Sequence, residues 1–291
     1  MPCRPLYMAL SLLCALLVAA PASAEPAPVE LPRAARWQMD FGENVCRLIG
    51  AFGQGDDAIF VRFARFAPTD GFELSLYGKP LHSNDAFREI GLSFGPGGTM
   101  VKTRANTGSL AGLPMLVTNA RLDNLEAGTS TSPAAPPAAV TPDQEAAVGA
   151  LDIRLHSFKT YRLMLGSMRA PMRLMRECTD AMMAHWGHDP QQYHALRNTP
   201  QPVGSKAMWL MPDDYPKAAL ERGGMAIIHF RLDVGTRGEV TGCHVQEATQ
   251  SGNFDELTCQ LLSRRARLTP AINAAGQPVA SFYVDTVRWL L

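Results

Sequence analysis

Four cysteines are the residues whose number and spacing most constrain the chemistry of this chain. They are Cys46, Cys178, Cys243 and Cys259, and two further cysteines, Cys3 and Cys14, lie near the N-terminus. No pair has the C-x-x-C spacing of a zinc ribbon or a thioredoxin-like redox site. An even number of cysteines is typical of disulfides when the protein is exported. Four cysteines allow three pairings, so the elements that carry them must decide between these.

The first 24 residues have the pattern of a secretory signal peptide. Arg4 supplies a positive charge, Leu6 to Ala20 is an apolar run, and small residues precede Ala24. The apolar run has about 15 residues, fewer than the roughly 20 that a membrane-spanning helix needs. We therefore expect cleavage between Ala24 and Glu25, a periplasmic location and no stable membrane span. An uncleaved membrane anchor is the alternative.

A group of histidines near the end of a predicted helix is the best candidate for a metal site. His185, His188 and His194 lie close to Asp189, but Pro190 interrupts their helical spacing. Histidine is also common at helix C-termini, where the helix dipole favours its cation. We therefore predict no metal site here.

Other signatures of catalysis or cofactor binding are missing from the sequence. It contains no G-x-S-x-G motif, no phosphate-binding P-loop and no dinucleotide fingerprint. The 27 basic and 27 acidic residues balance, which does not favour nucleic acid as the main partner. We expect a binding protein that needs no cofactor, and not an enzyme.

Alternating apolar residues predict a β-rich N-terminal domain and an overall α+β class. The predicted strands are Val45–Leu48, Ile59–Phe66, Phe72–Tyr77, Glu89–Phe94 and Leu113–Asn119, followed by a hairpin at 152–158 and 161–165. The predicted division is a lead segment at 25–35, a β-rich domain at 36–198, a connector at 199–207 and a second domain at 208–291. An Ala/Pro/Ser/Thr-rich stretch at 127–143 is predicted to be a disordered loop inside the β-rich domain.

One long helix is predicted after the hairpin, with Ser167 as its N-cap and Gly187 at its end. One face of it carries a row of apolar residues: Met168, Met172, Met175, Cys178, Met182 and Trp186. Such a methionine-rich face suits either a hydrophobic core or an adaptable binding surface, and we favour the core. The face is then expected to cover the sheet, where Cys178 meets Cys46 on a strand.

The last 84 residues predict a short helix, a β-hairpin, a second helix and a final strand. A turn at 235–238 with Gly238 in the left-handed conformation would join the hairpin strands. A symmetric hairpin gives the pairs Phe230 with Cys243, Ile228 with Val245, and His229 with His244. Cys243 then faces the second helix, whose predicted inward residues are Phe254, Thr258, Leu261 and Leu262. Cys259 lies within the same apolar arc, which predicts a disulfide between the two cysteines. The two histidines are interpreted as a cross-strand polar pair and not as a metal site.

Five motifs in this region carry a resemblance to a known family. They are Y-P-K-A-A-L at 215–220, G-E-V-T at 238–241, S-G-N-F-D at 251–255, R-A-R-L-T-P-A at 265–271 and G-Q-P-V-A at 276–280. In this order and spacing, residues from about 208 to 291 resemble the C-terminal domain of the TonB family. The resemblance implies a small α/β domain that binds an extended peptide, the TonB box of outer-membrane transporters, by strand addition.

By this resemblance the last strand, Val279 to Leu291, is the predicted docking edge. The candidate residues are Val279, Ser281, Tyr283, Asp285, Val287 and Arg288. The edge is alternatively covered by the N-terminal domain or by a second copy in a homodimer. A TonB-type energy transducer would keep its N-terminal anchor and need a long spacer, and neither is expected here. A structural cell-envelope protein is the third reading.

Overall fold

The computed structural model of the chain describes residues 26–85, 87–95, 98–125, 138–155, 159–249 and 253–291. The predicted signal segment, with Ala24 and Glu25, lies outside these residues, as does most of the predicted loop at 127–143. The described part of that loop is ordered at its end, where Thr141 caps a helix and accepts a hydrogen bond from Gln144 N at 3.2 Å. The prediction of disorder was therefore wrong for residues 141–143.

A ten-stranded sheet forms the N-terminal domain. Its strands are β1 (Val29–Pro32), β2 (Gln38–Phe41), β3 (Cys46–Phe52), β4 (Ile59–Arg65), β5 (Phe72–Tyr77), β6 (Phe87–Phe94), β7 (Val101–Leu110), β8 (Leu113–Ala120), β9 (Leu151–Arg154) and β10 (Thr160–Met164). The order across the sheet is β1-β10-β9-β6-β7-β8-β5-β4-β3-β2. Only the pair formed by β1 and β10 is parallel.

The sheet curls until its two ends meet. After β1, Arg33 forms a bridge with Phe52, and Ala34 N donates to Ala51 O at 2.8 Å. The segment that was predicted to be a lead before the β-rich domain therefore supplies a strand and closes the sheet. Closure removes exposed strand edges that would otherwise pair with other chains.

The helices of this domain are α1 (Pro142–Ala147), α2 (Arg169–His185) and α3 (Pro190–His194). The predicted methionine face of α2 belongs to the core inside the curled sheet, which confirms the core interpretation. Cys178 on this face forms a disulfide with Cys46 on β3, with 5.9 Å between the Cα atoms. The predicted N-cap was wrong: Met168 occupies that position, and no side chain caps the helix there.

The C-terminal domain contains α4 (Lys217–Glu221), β11 (Ala226–Val234), β12 (Val240–Ala248), α5 (Asn253–Arg265), β13 (Ala271–Ile272), β14 (Pro278–Val279) and β15 (Ser281–Trp289). Its main sheet has the order β12-β11-β15 and is antiparallel. Helix α5 covers one face, burying Phe254, Thr258, Leu261 and Leu262 as predicted. The predicted disulfide between Cys243 and Cys259 is present, with 5.5 Å between the Cα atoms.

The predicted register of the hairpin was wrong by two residues around Cys243 and by three at Ile228 and His229. The observed pairs are Phe230 with Val245, Leu232 with Cys243, Arg231 with His244, and His229 with Glu247. The turn is longer than expected, since Gly235 N bonds Glu239 O at 2.9 Å, and one extra residue is inserted in β12 after Val240. A shift of two residues keeps each side chain on its face. The predicted orientation of Cys243 toward the helix therefore held.

Gly238 has the predicted left-handed conformation, with φ of +82°. A Cβ atom there would come within 1.9 Å of Leu268 O, so close packing also requires glycine.

The connector between the domains is not a free linker. Pro202 forms a β-bridge with Leu268, and Asn198 forms another with Ile272. The main chain around 197–203 is therefore attached to the C-terminal domain.

Candidate functional site

Strand β15 is an edge of the C-terminal sheet. It pairs with β11 along its whole length, and no further strand pairs with it among the described residues. Thr286 N donates to the Asp285 carboxylate at 2.8 Å and so points away from β11. Main-chain groups alternate in direction along an antiparallel strand. The N–H groups of Val284 and Arg288 therefore point to the same outer side.

Asp285 partly caps this edge with its side chain. Its Oδ1 atom accepts from Thr286 N, while Oδ2 accepts from Lys206 Nζ and from the Tyr283 hydroxyl, both at 2.6 Å. Burial raises the pKa of Tyr283, and the neighbouring Asp285 carboxylate raises it further. Tyr283 is therefore a neutral hydrogen-bond donor that fixes the carboxylate. Charged side chains at a sheet edge discourage pairing with unrelated chains.

A groove of about 330 Å³ runs beside the middle of β15. On one side it is lined by Val284, Asp285 and Thr286 of the strand itself. The opposite wall comes from the N-terminal domain, and its polar members are Thr69, Glu73, Asn119 and Arg121. A chain segment that added to β15 would therefore also contact the N-terminal domain.

His229 on β11 and Glu73 on β5 join the two domains at the floor of this groove. The imidazole stacks on Phe66 with 3.8 Å between ring centroids. Its Nε2 atom lies 3.2 Å from a Glu73 oxygen, and its Nδ1 atom lies 3.0 Å from the hydroxyl of Thr286. All ring atoms capable of hydrogen bonding are thus engaged.

The pKa of Glu73 lies below its usual range. Burial is the largest influence and raises this pKa, but the hydrogen bond from His229 and the electrostatic influence of His229, Arg62 and Arg288 together outweigh it. Glu73 is therefore held as a carboxylate at the interface.

A β-bulge in β12 supplies further contacts between the domains. Val245 pairs with Phe230 and Glu247 with His229, so Gln246 is an extra residue between them. A bulge re-aims side chains locally, and here Gln246 and Glu247 both contact the N-terminal domain. Gln246 Nε2 donates to Asn44 O at 3.0 Å and to Phe66 O at 2.9 Å.

Glu247 lies between two arginines of the N-terminal sheet. It is 3.0 Å from Arg47 and 3.6 Å from Arg62, and all three side chains are partly buried. Partial burial makes such a pair more effective than an exposed surface pair.

Aromatic contacts form a second part of the interface. Trp186, which follows α2, lies edge-on to Phe282 of β15 with 5.2 Å between ring centroids. Tyr193 of α3 stacks on the same ring at 4.8 Å, and Arg231 lies over the Trp186 ring at 4.4 Å. The face of the C-terminal sheet opposite α5 is therefore packed on the N-terminal domain.

The structure separates the residues that were predicted to form one docking edge. Val279 belongs to the short strand β14, paired with Ala271, so the prediction of one continuous strand from Val279 to Leu291 was wrong. Ser281 is buried, with 3% of its surface exposed. Tyr283 and Val287 pack against the hydrophobic core beneath α5. Asp285 lies at the edge, and Arg288 is exposed near the end of β15.

Sequence reasoning missed the groove residues Val284 and Thr286. Alternation along the strand places them on the face opposite Tyr283. Their role depends on the N-terminal domain that covers this face, which no local pattern indicates. His229 was also misplaced: it contacts Glu73 and not His244, whose Nε2 atom lies 2.8 Å from Asp233.

The histidines near the end of α2 have separate partners. His194 lies 2.8 Å from Asp180, and His185 is 3.8 Å from Glu43. His188 packs against Phe282, and burial lowers its pKa. No group of three or more metal-ligating side chains is gathered anywhere in the described ranges. Across the same ranges, no helix has the length and apolar character to cross a membrane.

A small domain with one helix packed on a three-stranded antiparallel sheet is thus the class that the C-terminal fold defines. Residues 211–291 match the family model for the Gram-negative bacterial TonB protein C-terminal, as the sequence motifs indicated. No curated protein matches the chain. The match covers the C-terminal domain and relates this domain to the C-terminal part of TonB. The two disulfides are typical of an envelope location.

Proposed function

We propose that this is a periplasmic binding protein whose β15 edge takes up an extended segment of a partner protein by strand addition. The observation that carries this proposal is the outer edge of β15, which pairs with no further strand in the described structure and borders a groove. It belongs to a domain that matches the TonB C-terminal family. Main-chain hydrogen bonds would supply affinity, and the groove walls would select side chains. The partner by family resemblance is the TonB box of an outer-membrane transporter.

The domain arrangement supports an adaptor more than an energy transducer. Ion pairs, a buried glutamine and stacked rings fix the C-terminal sheet on the N-terminal domain. The connector at 199–207 spans at most about 30 Å if fully extended, and part of it is bridged to the C-terminal domain. A transducer needs a spacer long enough to cross the periplasm.

Photocrosslinking in the full chain tests the proposal. A photoreactive amino acid is placed at Arg288 on β15 or, as the matched control, at the exposed Thr241 on β12. The probe is a labelled synthetic peptide with the TonB box of a transporter from the same cell. We expect capture at position 288 and none at 241. Equal capture at both positions, or no capture at either, contradicts strand addition to β15.

The same experiment separates the remaining readings. Crosslinking of one copy to another through position 288 would indicate a homodimer that covers the edge. An absence of every crosslink at 288 favours a structural envelope role, with the C-terminal sheet serving only to bind the N-terminal domain. Sequencing the N-terminus of the exported protein tests location: a start at Glu25 excludes an anchored transducer.

A further inference from the structure

The N-terminal sheet contains an opening between two neighbouring strands. Strands β7 and β8 pair only from Asn106 and Val117 toward their connecting turn. Beyond that point β7 continues alongside β6, and β8 continues alongside β5. The two strands therefore diverge, and their facing edges no longer pair with each other.

Threonine side chains span this opening. The hydroxyls of Thr103 and Thr118 lie 3.0 Å apart, and the Thr118 hydroxyl also lies 3.2 Å from Arg104 O. The bond to Arg104 O satisfies one of the main-chain acceptors that the missing pairing between β7 and β8 would otherwise satisfy. Specific side-chain hydrogen bonds therefore stabilise the sheet at this opening.

A cavity of about 340 Å³ lies at this opening. Leu92 and Phe94 of β6, each 4% exposed, form its apolar floor, and Val101 and Leu125 add to it. The volume is at the lower end of the range for ligand pockets, which begins at about 300 Å³. One short aliphatic chain fits a space of this size and character.

The rim of the cavity is basic. Lys102, Arg104, Arg121 and Arg288 line it, and no aspartate or glutamate is among the described lining residues. Arg121 is held by Asp123 through bonds of 3.0 and 2.6 Å, and Lys102 lies 3.3 Å from the exposed Glu89. The positive charge at the rim favours an anion.

One wall of the cavity is held in a sparsely populated conformation. Asn124 has φ of +57°, and its side chain bonds both main-chain groups of Phe94, with Phe94 N at 2.6 Å and Phe94 O at 2.8 Å. Such conformations persist where the surroundings fix them, and they cluster at binding sites. Asn124, which lies outside the strands of the sheet, therefore holds the main chain of Phe94 in the apolar floor.

We propose that this cavity binds an anionic amphiphile, a single aliphatic chain with a carboxylate or phosphate head. The chain lies on Leu92 and Phe94, and the head group binds the arginines of the rim. Arg288 belongs to the C-terminal domain, so the bound molecule contacts both domains. This site adjoins the groove beside β15, because Arg121 lines both and Arg288 lies on β15. Binding of the amphiphile does not require strand addition, so either proposal stands without the other.

Calorimetric titration of the mature full chain with monomeric dodecanoate and dodecyl phosphate tests the proposal. Dodecanol, which lacks the charge, and acetate or inorganic phosphate, which lack the chain, serve as controls. We expect one amphiphile bound per chain, at least ten-fold more tightly than any control. Vesicles of phosphatidylglycerol test the alternative of surface adsorption.

Two variants locate the site. Arg288→Gln removes one rim charge and is expected to weaken binding about ten-fold, because hydrogen bonds to charged groups are strong. Leu125→Glu introduces a negative charge at a half-exposed position, 50% accessible, and is expected to abolish binding. Arg237→Gln, at a hairpin tip where the side chain is 85% exposed, is the control and is expected to bind like the wild type.

Thermal unfolding verifies that each variant is folded. Dodecanol binding as tight as that of dodecanoate overturns the proposal, as does binding of inorganic phosphate with equal affinity. Wild-type affinity in both Arg288→Gln and Leu125→Glu also overturns it, and so does binding to vesicles alone.

Discussion

At the scale of single residues, Asp285 decides how open the β15 edge is. Its carboxylate accepts the outward N–H of Thr286 and is itself held by Tyr283 and Lys206. A partner strand needs that N–H for its own carbonyl oxygen. Asp285 therefore competes with any added strand at this position.

Replacing Asp285 tests this competition. In Asp285→Ala the Thr286 N–H is released, so we expect the TonB-box peptide to bind a few-fold more tightly. We also expect the free energy of unfolding to fall by about 1 kcal/mol, because hydrogen bonds to the carboxylate are lost. Fluorescence anisotropy and urea unfolding measure the two effects. Asp285→Asn keeps an acceptor oxygen and is the control. Weaker binding by Asp285→Ala would show that the carboxylate is itself a peptide contact.

Glu73 gives a prediction about pH. Its pKa in the folded protein is below the unfolded value of roughly 4.3. The ionised carboxylate therefore stabilises the fold above about pH 4.3, and this stabilisation is lost as pH falls through the lower folded pKa. In Glu73→Gln we expect the decline in unfolding free energy between pH 6 and pH 3 to be shallower than in the wild type. Glu89→Gln, an exposed control, is expected to follow the wild type; parallel curves for Glu73→Gln would contradict the assignment.

At the scale of elements, each disulfide joins a helix to the sheet that it covers. Cys46–Cys178 holds α2 on β3, and Cys243–Cys259 holds α5 on β12. The sequence separations are 132 and 16 residues, so the first bond closes a much longer loop. Closing a longer loop restricts the unfolded chain more.

Serine replacements compare the two bonds. In the chain-entropy model, removing Cys243–Cys259 as a double serine variant costs about 3 kcal/mol, and removing Cys46–Cys178 costs about 5 kcal/mol. Urea unfolding of both variants measures this order, and peptide mapping without reduction verifies the remaining bond. A larger loss from the shorter loop would contradict the entropic explanation.

At the scale of the whole molecule, the bulge in β12 fixes how the two domains meet. It directs Gln246 and Glu247 together toward the N-terminal domain. The groove beside β15 exists only because this packing holds the two walls together. Domain packing and partner binding are therefore expected to change together.

Charge reversal at Glu247 tests the packing. In Glu247→Lys the new cation faces Arg47 and Arg62, and we expect the domains to separate. Small-angle X-ray scattering should show a larger radius of gyration, and trypsin should cleave faster within 199–207. Thr241→Lys on the same strand, exposed, is the control. An unchanged radius of gyration in Glu247→Lys would show that the aromatic contacts suffice.

The sequence by itself determined the local features of this protein. Alternation and helical spacing identified most strands, the buried methionine face and the inward residues of α5. Both disulfides followed, because a pattern of period two or 3.6 assigns each cysteine to a face. The same parity kept Cys243 on the correct side although the hairpin register was wrong by two residues. The strand β7 was missed because its sequence, Val101–Leu110, is largely polar and lacks clear alternation.

Only the tertiary structure decided which parts of the chain the faces of helices and sheets and the edges of strands contact. The bulge at Gln246 and the long turn depend on packing against residues distant in sequence, such as Asn44 and Leu268. For the same reason the sequence did not predict that His229 would contact Glu73, 156 positions earlier in the chain. Local periodicity records which side chains are buried, whereas the surface that buries them is set by contacts between distant segments. The groove beside β15 and the cavity between β7 and β8 are products of such contacts.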